Sequence, residues 1–288
     1  MPLSLQTAVA FVPQYSYPCH FEPEVIEFNQ AVLAPYGMKF APERTSEESN
    51  FTFLALAEQI LYSAPDPLPG PDLIIVAYAL PDPHSLEQTL SSHLNNVFGD
   101  QSISFAISEQ GLAAPFTALR VADSYARSGR CRSVALFILE QATFPYEMPF
   151  AQDAKLVDSG VLLFLGQAGS WDMTGVRTAS PQAGLSELIR IPAGQSAQEV
   201  LVVAGPWTDL SQADVAGPKI HRVPPGSYCT SVWLELAGHY QGWAQDYTTI
   251  VVCDTDPGTG ISQAATLSRA GHARRCAPPH PPDQQEVQ

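Results

Sequence analysis

The chain has 288 residues, of which 45% are apolar, so it is long enough for one large domain or two compact halves with a substantial core. Its 29 acidic and 14 basic residues give a net charge of −15, which argues against nucleic acids and anionic membranes, since both require basic surfaces. No run approaches 18 apolar residues and no basic region opens the chain, so we expect neither a transmembrane helix nor a signal peptide, and a cytoplasmic location.

The elements predicted along the first half alternate between strands and helices. Asp72 to Leu80 is a continuous apolar run, typical of a strand buried on both faces of a parallel sheet. The other predicted elements are, in chain order, a strand at Thr7 to Val12, an apolar helix at 51–64, a helix from Ser85 to Phe98, a strand at Ile103 to Ile107, a helix from Pro115 to Arg127, and strands at Ser133 to Leu139 and Gly160 to Leu165.

The second half repeats this order with shorter connections. The segments 199–204, 230–241 and 248–254 match 72–77, 116–127 and 133–140, so a strand, a helix and a strand recur. We therefore predict a first half at 1–166, a shortened second half at 167–267, and a disordered tail at 268–288 that has little to bury.

The five cysteines form no CxxC pair and no Cys/His cluster with metal spacing. We expect no metal site and reduced thiols. Cys131 lies between two arginines, where we expect an exposed loop thiol. Cys229 stands at a predicted helix start, where packing is favoured over activation by the helix dipole. Cys253 is expected in the core.

A turn at Gln110-Gly111-Leu112-Ala113-Ala114-Pro115 connects the strand at 103–107 to its apolar helix. This turn resembles the QGCAGP pattern of the ketoacyl synthase III family, in which the cysteine heads a buried helix. Three flanking segments, at 72–83, 128–141 and 155–166, resemble that family in the same order. The resemblance implies an α/β thiolase-like fold: two repeated halves with mostly parallel buried sheets and flanking helices, layered αβαβα.

The departures from the family pattern concern its catalytic residues. Leu112 occupies the nucleophile position, and no HxxN-like or GNTS-like motif is found in the second half. The nearest remnants are Gln110, Gly111, His221 and Cys229, with Cys229 standing where the family has asparagine. Leu112 and Phe116 are then predicted to line an acyl-sized pocket. No bound cofactor is expected, and an acyl-CoA or a phosphopantetheine-linked acyl group would be the ligand.

These observations favour a non-catalytic ketoacyl synthase III-like subunit that forms a homodimer, or a heterodimer with an active condensing enzyme. Two alternatives remain: an acyltransferase or condensing enzyme with a noncanonical residue, and a noncovalent acyl-thioester binder. Four arginines, at 120, 127, 130 and 132, form either a patch for an acyl carrier protein or a solvated helix end.

Overall fold

The computed structural model describes residues 2–15, 20–44, 51–65, 68–80, 89–142, 144, 146, 156–181, 187–189, 191, 195–210 and 217–271. The predicted helix start at Ser85 and most of the predicted tail, from residue 272 onward, lie outside the described residues. Within them, no helix is both long and apolar enough to cross a membrane.

Ten strands and five α-helices make up the regular structure of the described residues. The strands are β1 (Ser4–Phe11), β2 (Leu73–Tyr78), β3 (Ile103–Ile107), β4 (Val134–Glu140), β5 (Ser159–Gly166), β6 (Trp171–Ala179), β7 (Val200–Ala204), β8 (Lys219–Arg222), β9 (Thr249–Thr255) and β10 (Ser262–Arg269). The helices are α1 (Pro23–Leu33), α2 (Phe53–Ser63), α3 (Leu90–Val97), α4 (Ala114–Arg127) and α5 (Ser231–Asp246).

The strand order shows the internal repeat directly. The first five strands lie in the order β3-β2-β4-β5-β1, and the last five in the order β8-β7-β9-β10-β6, which is the same order when five is subtracted from each number. The two halves join at the middle of the sheet, where Ser4 and Leu5 of β1 pair with Asp172 and Trp171 of β6. The repeat predicted from the sequence is therefore present in the topology.

Each half of the sheet is mixed rather than mostly parallel. The outer pairs β2–β3, β2–β4, β7–β8 and β7–β9 are parallel, whereas β4–β5, β5–β1, β9–β10 and β10–β6 are antiparallel. Antiparallel neighbours need no crossover helix. The described residues between β4 and β5, and between β9 and β10, accordingly contain none.

The helices form layers on the sheet. α4 and α5 lie between the two halves and share one core with the inward faces of both, while α2 and α3 cover the outer face of the first half. Leu188, Ile189 and Leu210 pack on the outer face of the second half. Burial on both faces explains why β2 and β4 are continuous apolar runs.

The repeat aligns α4 with α5 three residues away from the match predicted from the sequence. α4 begins at Ala114 and α5 at Ser231. Phe116 and Trp233, each two residues into its helix, meet across the centre with ring centroids 5.0 Å apart. A shift of three residues keeps a helix on nearly the same face, so the apolar pattern could not distinguish the two alignments.

Candidate functional site

The starts of α4 and α5 meet near the centre of the molecule. Leu112 and Cys229 occupy equivalent positions, each two residues before the first residue of its helix. Both are buried, with 1% and 2% of their surfaces exposed. A helix start presents backbone N–H groups and a partial positive charge, and is therefore where a thiolate or an oxyanion would be stabilised.

Glu140 occupies the start of α5 from the opposite half. It is the last residue of β4, and its carboxyl oxygens accept hydrogen bonds from the backbone N–H of Tyr228 at 2.7 and 2.9 Å and from that of Thr230 at 3.1 Å. The Thr230 hydroxyl in turn bonds Ser159 at 2.7 Å. The N–H donors of the turn that leads into α5 are thus satisfied by a side chain of the chain itself.

Burial is the main influence on the pKa values of Glu140 and Cys229. It raises the pKa of Glu140 from 4.5 to about 7, although the backbone N–H donors of Tyr228 and Thr230 act in the opposite direction. Burial and the neighbouring Glu140 also raise the pKa of the Cys229 thiol well above its ordinary value. The thiol donates to the carbonyl of Leu139 at 3.4 Å. The raised pKa favours the protonated thiol, which is the less nucleophilic form.

Asp256, just beyond β9, occupies the start of α4 in the same way. Its Oδ2 accepts a bond from the backbone N–H of Leu112 at 3.4 Å and another from the hydroxyl of Tyr228. Its Oδ1 accepts the backbone N–H and hydroxyl of Thr259 at 2.9 and 3.0 Å. Partial burial raises the pKa of Asp256, but these hydrogen bonds outweigh it and lower the pKa overall.

Gly111 allows this close approach. Its φ is +53°, and a Cβ built on it would lie 2.6 Å from the Tyr228 hydroxyl oxygen and 2.7 Å from Asp256 Oδ2. Both the left-handed backbone and the missing side chain are therefore needed for Tyr228 and Asp256 to cover the start of α4.

A second fully buried carboxyl group, that of Asp254, supports the start of α5 from β9. It accepts bonds from the hydroxyls of Ser231 at 3.0 Å and Thr208 at 3.1 Å, and from the backbone N–H of Thr255 at 2.8 Å. Burial raises its pKa from 3.8 to about 7, against the effect of these donors.

The space left beside this cluster is small. A cavity of about 10 Å³ is lined by Glu140, Tyr228, Cys229 and seven neighbouring residues. That is room for about one water molecule, whereas small-molecule pockets typically measure several hundred Å³. Among the described residues, the space between Glu140 and Cys229 is too small for an acyl chain.

Comparison with known proteins decides the fold. A 3-oxoacyl-[acyl-carrier-protein] synthase III from Aquifex aeolicus VF5 superposes with a TM-score of 0.60 and 13% identity, over 92% of this chain and 99% of that one. The chain has the fold of the ketoacyl synthase III enzymes. A tetronic acid condensing enzyme, AbyA1, matches with a TM-score of 0.61 and 13% identity over 92% and 99% of the two chains. A variant of OleA from Xanthomonas campestris matches at 0.57 and 12% over 93% and 98%.

No family profile matches the sequence, and no curated protein matches it either. The predicted resemblance to ketoacyl synthase III is thus confirmed for the fold, through structures of low sequence identity. The mixed sheet with flanking helices is the arrangement that this fold requires.

Within the ketoacyl synthase III fold, the predicted site residues separate into two groups. Gln110, Gly111, Leu112 and Cys229 lie at the two helix starts, where Gln110 accepts a bond from the hydroxyl of Thr117 at 2.7 Å. Phe116 is fully buried against Trp233. A substrate contact for Leu112 or Phe116 stays a prediction.

His221 belongs to a different cluster. It lies on the end strand β8 and bonds Glu235 of α5 at 2.8 Å, with its ring 5.5 Å from that of Trp243. Glu235 is one helical turn beyond the start of α5, so these contacts turn His221 toward the body of the helix. The structure does not join His221 to Leu112 or Cys229.

The predicted exposure of Cys131 is wrong. The side chain is buried, and burial together with the nearby charge of Asp72 raises the pKa of its thiol to about 11. Asp72 accepts the backbone N–H of Arg132 at 2.6 Å, which draws this loop onto the sheet. The neighbouring arginines in the sequence had suggested a lowered pKa for this thiol.

Sequence reasoning missed Glu140, Tyr228, Asp254 and Asp256. For the acidic residues one signal was present: each lies within one residue of the end of a strand that is otherwise mostly apolar and buried. A carboxyl group there must be either neutral or hydrogen-bonded.

Proposed function

We propose that this chain is a non-catalytic ketoacyl synthase III-like subunit of acyl-thioester metabolism, of the fatty acid or polyketide type, that supports an active condensing enzyme. The observation that carries the proposal is the occupation of both helix starts by internal carboxyl groups, Glu140 at α5 and Asp256 at α4. In our proposal, the helix starts are the positions at which a condensing enzyme would hold its reacting groups. In this chain a leucine and two carboxyl groups occupy these positions, and none of them supports covalent acyl transfer.

Acyl transfer through a covalent intermediate needs a thiolate or an activated hydroxyl, and hydrogen-bond donors for the developing oxyanion. Leu112 provides no nucleophile. Asp256 and Glu140 already accept from the N–H groups that could serve as oxyanion donors. A negative oxygen beside the Asp256 carboxylate, whose pKa is lowered, would be repelled rather than stabilised.

A partner is proposed at the β3 edge. β3 ends the strand order, and Ile103 on it is 48% exposed, next to Val97 of α3 at 53%. The family resemblance implies dimers with a sheet continuous across the interface. An unpaired strand edge with exposed apolar side chains suits such an addition.

The test is co-purification with an intact condensing enzyme, chosen from neighbouring genes, followed by light scattering. Ile103→Asp should dissociate the complex. Ile220→Asp is the matched control, because Ile220 lies on β8 at the other end of the sheet and is 38% exposed. A stable monomer, alone and with each neighbouring condensing enzyme, would overturn the proposal, as would equal effects of the two variants.

A second candidate function rests on Cys229 and Glu140. The thiol borders the small cavity beside a carboxyl group whose pKa of about 7 suits a general base. An acyltransferase that uses Cys229 would form a thioester on it. Incubation with a panel of acyl-CoAs and intact-mass measurement should show an adduct in the native chain and none in Cys229→Ser. No adduct and no turnover by folded protein would reject this candidate.

Noncovalent binding of an acyl thioester is a third candidate. It is separable by thermal-shift titration with CoA esters, since a binder would melt at a higher temperature without forming an adduct. A cytoplasmic location is proposed with all three candidates, because acyl-thioester chemistry of this type uses reduced thiols.

A further inference from the structure

An open groove separates α4 from β6, on the face of α4 that does not enter the core. Its volume is about 320 Å³, comparable with sites for small molecules. Its walls are Leu119, Arg120, Asp123, Ser124 and Arg127 of α4, and Met173, Thr174, Gly175 and Val176 of β6.

Two arginines line the groove: Arg120 is held by hydrogen bonds, and Arg127 is largely exposed. Arg120 is held in place, since one terminal nitrogen donates to the hydroxyl of Thr178 at 2.8 Å and the other to that of Thr117 at 3.0 Å. A guanidinium has five N–H groups, so these bonds orient Arg120 without exhausting it. Arg127 contacts Asp123 through Nε at 3.2 Å and is 72% exposed. The two residues are seven positions apart, so their backbone positions are about 10 Å apart along α4, and both side chains line the same groove.

The bottom of the groove is apolar. Leu119 is buried and Met173 is nearly so, and Val176 packs against the same central core. Gly175 leaves the β6 wall open, because a Cβ on it would meet no atom within 4 Å. A ligand here would meet aliphatic carbon beneath and guanidinium groups at the rim.

The internal repeat provides a comparison within the same molecule. When α4 and α5 are aligned by their starts, Arg120, Asp123 and Arg127 correspond to Ala237, Tyr240 and Ala244. In the second copy these side chains pack on the core, and the Tyr240 carbonyl accepts the indole N–H of Trp171 at 2.9 Å. At these three positions α5 therefore carries apolar or aromatic side chains packed on the core, whereas α4 carries charged side chains that line the groove. The fold does not require the groove.

We propose that the groove between α4 and β6 binds a small anionic amphiphile, with a carboxylate or phosphate head on Arg120 and Arg127 and a short aliphatic tail over Leu119 and Val176. Arginine recognises both heads in bidentate geometry. Asp123 neutralises one of the two positive charges, so the groove suits a single anionic group. On a chain of net charge −15, a retained cationic groove opposes the general surface potential. This inference does not depend on the proposed function.

Isothermal titration of the full chain with hexanoate, hexyl phosphate and neutral hexanol tests the proposal. One or both anions should bind, and hexanol should bind at least tenfold more weakly; the stronger of the two anions identifies the head group. Arg127→Gln and Arg120→Gln should each weaken anion binding about tenfold or more, and Ser124→Trp should abolish it by filling the groove.

Arg130→Gln is the matched control, since Arg130 is exposed beyond the end of α4 and does not line the groove. It should bind like the native chain. Absence of anion binding to the folded native chain would overturn the proposal, as would equal binding of hexanol or unchanged affinity in Arg127→Gln. Because Arg127 bonds only to its helical neighbour Asp123 among its described partners, Arg127→Gln tests recognition with little risk to folding.

Discussion

Replacing Glu140 with glutamine should change how the stability of this protein depends on pH. The carboxyl group is buried, and burial raises its pKa from 4.5 to about 7. The folded chain therefore holds a proton on Glu140 at pH values where the unfolded chain has released it. Glutamine keeps an oxygen to accept the N–H of Tyr228 but cannot ionise.

The direction and size of the effect follow from these two values. Between pH 4.5 and about 7 the folded state binds more protons than the unfolded state, so stability falls as the pH rises through this range and is level above it. The pKa of Glu140 is 4.5 in the unfolded chain and about 7 in the folded chain, a difference of about 2.5. Since a difference of one in pKa corresponds to about 1.36 kcal/mol, Glu140 should lower the free energy of unfolding by about 3 kcal/mol across this range. Burial raises the pKa of Asp254 to about 7 as well, so it adds a loss of the same sign.

Urea unfolding followed by tryptophan fluorescence at pH 5.5, 6.5, 7.5 and 8 measures the effect, and these values stay above the pI of about 4.7. Stability of the native chain should fall across the first three pH values. Glu140→Gln should remove about half of that loss, Asp254→Asn a similar part, and the double variant nearly all of it. An unchanged pH slope in Glu140→Gln would show that the N–H donors keep this carboxylate ionised and that the burial argument fails.

Three further substitutions test the packing and chemistry of the helix starts. Leu112→Cys should form no acyl adduct with acyl-CoA, because Asp256 accepts the N–H at that position; condensation by this single variant would contradict a closed site. Gly111→Ala should cost about 2–4 kcal/mol by urea unfolding, from strain at φ +53° and contact with Tyr228 and Asp256. Gly129→Ala, at φ +73° with open space around it, should cost only about 1 kcal/mol; equal costs would exclude the contact. Phe116→Ala should lose about 3–5 kcal/mol, and Phe28→Ala, 52% exposed, under about 1 kcal/mol; similar losses would refute a core role for the Phe116–Trp233 pair.

Most of the helices and strands could be predicted from short stretches of sequence, because the apolar pattern that identifies each one lies within the element itself. A strand buried on both faces must be apolar throughout, which is why β2 and β4 were recognised. The start of α4 was recognised from the turn at Gly111 and from Pro115, since proline is favoured in the first turn of a helix. The predicted helix from Ser85 to Phe98 is wrong at its start, because Thr89 has an extended backbone and is the N-cap of α3, which begins at Leu90.

The alignment of the two copies and the location of Cys131 required the tertiary structure. Sequence matching placed α5 three residues out of register, since apolar spacing repeats nearly every turn. Cys131 was predicted to be exposed because its neighbours are arginines, but Asp72, brought close by the β2–β4 pairing, binds that loop. Neither fact is visible in a short window of sequence.

The sequence by itself determined that Leu112 stands at a helix start, and that the surrounding fold is a repeated α/β structure. Only the tertiary structure decided what fills the site. Glu140 meets the N–H of Tyr228 across 88 residues, and Asp256 meets that of Leu112 across 144. The physical reason is that buried N–H groups and carboxyl groups must find partners, and the fold brought these together from opposite halves of the chain.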